Sequence, residues 1–414
     1  MKPIKTWSAS LTTALLLAAC GGGGNDAPPA DTQAQALSAR RPFTAVVSFG
    51  DSLSDVGTYT PKTAIPGTSP TVYLGGKFTT NSPTSKIWVE NVAARLGLVV
   101  NPAVVGWNGI GAVQDCPAAA QGLGATCTAY GQGGARVTDP IGIRHEAGAL
   151  TVPIQAQIAN HLSHFKSFKS TDLIFLWAGA NDLLWQMEQD PAKNPESFVV
   201  KLFTIQAQAQ AGLITPADAQ LSIDRALAAS QAVMRTAALE MTGYIRTQIL
   251  AKGGKYVVVM TLPDGAVTPE GVATTAFSPE LGAALTALSD AFNQGLKDGL
   301  KGQPVQTIDI RGFISDVVAH PADHQMANAS VPACDATKMA RITNDAVTDG
   351  FSLFCNATPG APYNGIRDGA NVNTWFFADG NHPTVGGYRL ISDEVMRQLR
   401  RFGWVRGEMS ESTL

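Results

Sequence analysis

The chain has 414 residues, 45% of them hydrophobic and 15% charged, with a formal net charge of −3. That is the composition of a globular protein rich in loops and small residues, not of a disordered or fibrous chain. No basic block or stripe is present, which argues against nucleic acid as a partner.

Residues 1–19 read as a leader. Lys2 and Lys5 give a positive start, and residues 11–19 form an apolar core too short to span a membrane. The core closes on Leu17-Ala18-Ala19-Cys20, which resembles the cleavage box of bacterial lipoproteins. That resemblance implies lipid on Cys20 and a mature chain held at a membrane through it. Gly21 after the cysteine implies the outer membrane, with the periplasmic or surface side left open. Residues 20–41 begin with four glycines after the cysteine and have no apolar period, so they read as a flexible tether. Residues 42–414 are then the folded domain.

Residues 45–49 are an apolar run with the length of a buried strand, and it breaks at Gly50-Asp51-Ser52. A serine at a strand exit stands where open α/β sheets place their ligands. Residues 85–96 carry a helical apolar stripe, and 99–105 suit a second strand. Residues 106–134 are Gly-rich and without period. A helix is expected over 152–165, followed by a buried strand over 172–177 that exits into Gly179-Ala180-Asn181-Asp182. Residues 190–251 are strongly helical, 255–262 a buried strand, 279–302 a helix, 305–310 a strand and 312–320 a helix. Residues 324–367 are irregular, and 388–401 form a closing helix. Strands alternating with helices argue for a parallel sheet covered on both faces, an α/β fold. The long additions at 106–130 and 190–250 are expected to wall a pocket.

Cys116, Cys127, Cys334 and Cys355 are an even set in an exported chain, which suggests two disulfides. Of the three pairings, the local Cys116–Cys127 and Cys334–Cys355 are favoured, because both bracket loop-like sequence. No Cys-x-x-Cys pair supports a metal site, and neither metal nor cofactor is expected.

A serine hydroxyl needs a base, a group to orient that base, and donors for the developing oxyanion. Asp379-x-x-His382 offers base and orienter close together on a turn. The Gly133-Gly134 pair offers a backbone N–H with no side chain in the way, Asn181 a side-chain N–H, and Ser52 its own N–H. Asp55 and Asp182 read as carboxylates bonded to nearby backbone. Competing motifs are incomplete. No Gly-x-Ser-x-Gly is present. Ser163-x-x-Lys166 lacks partner motifs and suits a solvated helix face. His145-Glu146 lacks a second histidine. His320 and His324 are separated by Pro321, which disfavours a helix between them.

Together these blocks, Gly50-Asp51-Ser52-Leu53-Ser54-Asp55, Gly133-Gly134, Gly179-x-Asn181-Asp182 and Asp379-x-x-His382, resemble the four motif blocks of the SGNH or GDSL hydrolase family, in order, across most of residues 43–401. The resemblance implies a flavodoxin-like three-layer α/β/α sandwich with a mainly parallel sheet. It also implies Ser52 as nucleophile, His382 as base, Asp379 as its orienter, and Ser52, Gly134 and Asn181 as oxyanion donors. Two positions depart from the pattern. Ala129 and Tyr130 stand where the family usually has Asn before its glycine pair, and Ala266 stands where it has Gly after Leu-Pro-Asp-x. The expected function is ester hydrolysis through an acyl-enzyme, with a lipid or small-molecule ester as partner. Acyl transfer to an alcohol, carbohydrate O-acetyl hydrolysis, and a binding lipoprotein with an inert relic site are the alternatives.

Overall fold

The computed structural model describes residues 43–406, so the expected leader, Cys20 and the tether up to residue 41 lie outside the described residues. Four parallel strands form the central sheet: β1 (Ala45–Gly50), β4 (Asp172–Trp177), β5 (Tyr256–Met260) and β6 (Gln306–Ile308), side by side in that order. The register pairs Val46 with Leu173 and Gly50 with Trp177. All four strands therefore end on the same edge, and the polar segments after β1, β4 and β5 leave the sheet together.

The strands are largely apolar because helices cover both faces. Side chains alternate with period two. Val46, Phe175, Trp177, Val258 and Met260 join one core layer; Val47, Phe49, Ile174, Leu176 and Val259 join the other. The first layer packs on α1 (Trp88–Arg95), α8 (Ile310–Ala319) and α10 (Val385–Arg401). The second packs on α2 (Ile154–Phe165), α5 (Pro216–Tyr244) and α7 (Pro279–Gly299). This is the three-layer sandwich that the alternation of elements anticipates.

Two regions differ from expectation. Residues 99–105 do not form one strand. Instead Asn101 and Ala103 pair with residues 126–129, and that stretch runs beside β1, with the Tyr130 N–H donating to the Ser48 carbonyl at 2.8 Å. Val104 then opens a hairpin of β2 (Val104–Trp107) and β3 (Ile110–Asp115) inside the Gly-rich region. Every residue of β3 is exposed, so no burial pattern marks it in the sequence. The helical stretch 190–251 is broken as well, into α4 (Phe198–Gln210) and α5. Thr215 caps α5 by accepting from the Asp218 N–H, and Pro216 opens it, having no N–H to lose at that position.

The cysteines pair as Cys116–Cys127 and Cys334–Cys355. The second pair is 21 residues apart. Removing a crosslink over a loop of that length enlarges the unfolded ensemble. The double substitution Cys334→Ser, Cys355→Ser is expected to lower the unfolding free energy by about 3 kcal/mol. Urea unfolding of the oxidised parent and the variant measures it, and an unchanged midpoint refutes it.

Candidate active site

The turn after β1 is held from several sides. Asp51 caps the short 3-10 turn Ser52–Ser54 by accepting from the Leu53 N–H at 3.0 Å. The Trp88 indole N–H donates to the Leu53 carbonyl at 2.9 Å, tying the turn to α1. The Gln157 side-chain amide bonds both the N–H and the C=O of Gly50, at 3.0 and 2.8 Å, doing the work of a neighbouring strand where β1 ends. A Cβ at Gly50 would lie 2.5 Å from the Trp177 carbonyl, so only glycine fits there.

Ser52 is thereby presented to His382, which arrives from the segment leading into α10. The Ser52 hydroxyl and His382 Nε2 are 2.8 Å apart, across 330 residues of sequence. His382 Nδ1 lies 2.9 Å from each oxygen of Asp379. A carboxylate can only accept, so Nδ1 carries the proton toward Asp379 and Nε2 accepts from Ser52. Asp379 Oδ1 also accepts the N–H groups of Asn381 and His382, at 3.0 and 2.8 Å, and Oδ2 accepts the Ser352 N–H at 2.9 Å.

The charges follow from these contacts. Burial raises the Asp379 carboxyl, but the facing His382 and the N–H donors outweigh it and hold the group well below the usual carboxylate range. Burial disfavours the His382 imidazolium, yet Asp379 prevails and raises the ring above its ordinary value. Asp51 lies beside the serine but has a different environment. Burial pushes it up to about 7 against the Leu53 N–H and the His382 charge, and among the described residues its Oδ2 has no hydrogen-bond partner. The carboxylate on the imidazole is Asp379, from the far end of the chain.

The expected oxyanion donors converge on the same cavity. The Gly133 N–H is engaged, donating to Asp55 Oδ2 at 3.0 Å. Among the described residues, the Gly134 and Ser52 N–H groups donate to no other group. Asn181 Nδ2 donates one hydrogen to the Ala135 carbonyl at 2.9 Å, which leaves its second N–H. Gly134 has φ +82°, and a Cβ there would sit 2.2 Å from the Ile143 carbonyl. Asp55 also accepts the N–H groups of Gly57 and Thr58, and Asp182 accepts the Val137 N–H at 3.1 Å. Burial pushes each of these two carboxyls up to about 6, against those donors at Asp55 and against the Arg136 charge and the Val137 N–H at Asp182.

The cavity measures about 920 Å³ and is largely apolar, with Tyr59, Phe78 and Trp107 facing it as well as Leu183, Met187 and Leu262. The Phe78 ring centroid lies 5.0 Å from that of His382. Its walls are not the ones expected. Of residues 106–130 only Trp107 reaches it, and nothing from 190–250 does. The lining comes instead from 143–149, 180–189, 262–270, 330–332 and 349–353, around the Ser52, Gly134 and His382 segments. Helices α4 and α5 pack on each other and on α7, which accounts for their buried apolar residues without a ligand.

The competing motifs stay outside this cavity. Ser163 is exposed at the end of α2, bonded to the Asn160 carbonyl. His145 Nδ1 meets Thr151. His320 and His324 do come together, both on Asp316 at the surface. Sequence reasoning missed the Ser352 N–H, the Asp55 contact to Gly133 and the Phe78 ring, since each depends on long-range packing.

Residues 46–395 match the family model of GDSL-like lipases and acylhydrolases. This chain belongs to that family. Within it, the GDSL chain is 29% identical over 169 residues to the phosphatidylcholine-sterol acyltransferase of Aeromonas hydrophila, an alignment that covers 38% of each protein. The GDSL chain thus spans less than half the length of the relative it matches. Its two disulfides point to an oxidising, exported setting, and among the described residues no helix is long and apolar enough to cross a membrane.

Proposed function

We propose that this chain is an exported serine esterase or lipase acting through an acyl-enzyme, held at a membrane by lipid on Cys20. The observation that carries the chemistry is the relay from the Ser52 hydroxyl through His382 to Asp379, opening on a largely apolar cavity. Ser52 Oγ attacks the ester carbonyl as its proton passes to His382 Nε2. Asp379 stabilises the imidazolium and keeps the ring oriented. The carbonyl oxygen takes up negative charge and accepts from the Gly134 and Ser52 N–H groups and from Asn181. Collapse breaks the ester C–O bond. The leaving alkoxide takes the proton from His382, leaving the acyl group on Ser52. Water then repeats the sequence, with His382 as base, and releases the acid.

Acyl transfer to an alcohol shares every step up to the acyl-enzyme. The name of the Aeromonas relative favours keeping it as a second reading. Labelling with a fluorophosphonate, mapped by peptide mass spectrometry, tests the shared part: the adduct is expected on Ser52 and nowhere else. A series of nitrophenyl esters run beside acetylated sugars tests the substrate. Turnover confined to acetylated sugar overturns the lipase reading. Adding an acceptor alcohol and identifying the products separates hydrolysis from transfer.

Asn181→Ala is expected to lower kcat by about 10²–10³-fold with little change in KM, because its free N–H meets charge present only in the transition state. Steady-state kinetics on an activated ester measure this, and a KM effect alone refutes the role.

A further inference from the structure

We propose that Tyr59 is the positioning residue of the oxyanion site: its hydroxyl fixes the Gly133 carbonyl and thereby aims the Gly134 N–H at the cavity beside Ser52. The inference rests on the acyl-enzyme reading above.

The C=O of Gly133 and the N–H of Gly134 belong to one peptide plane. Among the described residues the one cis bond is Ser69–Pro70, so this plane is trans and its two polar groups point in opposite directions. Whatever holds the carbonyl sets the direction of the N–H. A plane flanked by two glycines needs such a hold, since no side chain opposes its rotation.

Four hydrogen bonds surround this turn. The Ala135 N–H to the Gln132 carbonyl, at 3.1 Å, closes it without bonding either polar group of the Gly133–Gly134 plane; the other three act on different planes. The Gly133 N–H to Asp55 Oδ2, at 3.0 Å, fixes the preceding peptide. The Ile143 N–H to the Gly134 carbonyl, at 3.0 Å, fixes the following one. The plane that carries the Gly134 N–H is held by Tyr59, whose Oη lies 2.7 Å from the Gly133 carbonyl. The direction of that bond is settled by a neighbour. Tyr59 Oη accepts from the Thr151 N–H at 3.2 Å, so its single proton goes to Gly133.

Tyr59 is built to hold this position. It is fully buried, with its ring edge-on to Trp107 at 5.1 Å and to Phe78 at 6.2 Å. Burial, with the charge of Asp55, raises the phenol well above its ordinary value, so the proton it donates stays in place across the working range. The contact is invisible in the sequence, because 74 residues separate the two partners.

Tyr59→Phe removes the hydroxyl and keeps the ring. With a nitrophenyl ester, kcat is expected to fall about 10- to 100-fold while KM stays within about twofold. Affinity for a trifluoromethyl ketone, which forms a tetrahedral oxyanion on Ser52, falls by the same factor as kcat/KM. A purely structural role lowers the melting temperature and leaves kcat of the folded enzyme unchanged; that result overturns the proposal. Should the variant not fold, the wild type still decides. With 15N-glycine labelling, a Gly134 amide free of relaxation dispersion supports a fixed plane, and dispersion at that amide overturns it. If fluorophosphonate fails to label Ser52 in the wild type, the acyl-enzyme reading falls and the proposal with it. If Ser52 is labelled and Tyr59→Phe retains wild-type kcat, only the proposal falls.

Discussion

Ser52→Ala is expected to reduce kcat on an activated ester by about 10⁴–10⁶-fold and to abolish fluorophosphonate labelling. The effect is large because no other atom replaces Oγ as the bond-forming group. The fold is expected to survive, since among the described residues the Ser52 hydroxyl bonds His382 alone, while the turn is held by Asp51, Trp88 and Gln157. The Gly134 and Asn181 donors remain in place, so a small residual rate above the uncatalysed reaction is expected. Equal melting temperatures for parent and variant, together with the lost rate, complete the result. A variant that keeps the parent rate shows that another group is the nucleophile.

Asp379→Asn is expected to lower kcat by about 10³–10⁴-fold at neutral pH. An amide N–H₂ can face Nδ1 and turn the ring to the tautomer that protonates Nε2, the wrong nitrogen for accepting from Ser52. The pH profile gives a second reading of the same contact. The reaction needs neutral His382, and Asp379 raises that ring above its ordinary 6.5. Activity of the parent is therefore lost as pH falls through a midpoint above 6.5. In the variant the raising charge is gone and burial remains, so the acid limb of the residual activity moves to lower pH. A limb that moves upward, or a variant with the parent's kcat, removes Asp379 from the relay.

The parts of the site that were legible in the sequence are those encoded locally. Strands β1 and β4 each read as an apolar run ending in Gly and polar residues, because a strand buried on both faces leaves no other signature. Asp379 and His382 are three residues apart, so their contact is nearly intrachain geometry. The walls of the cavity were not legible. The buried apolar residues of α4 and α5 look like a pocket wall and are helix packing, whereas 349–353 look like irregular loop and bring Phe351 to the cavity and the Ser352 N–H to Asp379. An apolar side chain does not record in its own sequence which surface it meets. The exposed β3 was missed for the opposite reason, since a strand with neither face buried carries no alternation.

The 330 residues between Ser52 and His382 also bear on when the chain becomes reactive. Ser52 emerges early in synthesis and His382 only near the end. Closing so long a loop carries an entropic cost that must be met before the contact is gained. Through most of its synthesis, the chain therefore carries Ser52 without His382 beside it. Competence for the proposed chemistry then begins as a late folding event, once the segment before α10 docks against the β1 turn, and its onset reports completed tertiary structure more faithfully than helix content does.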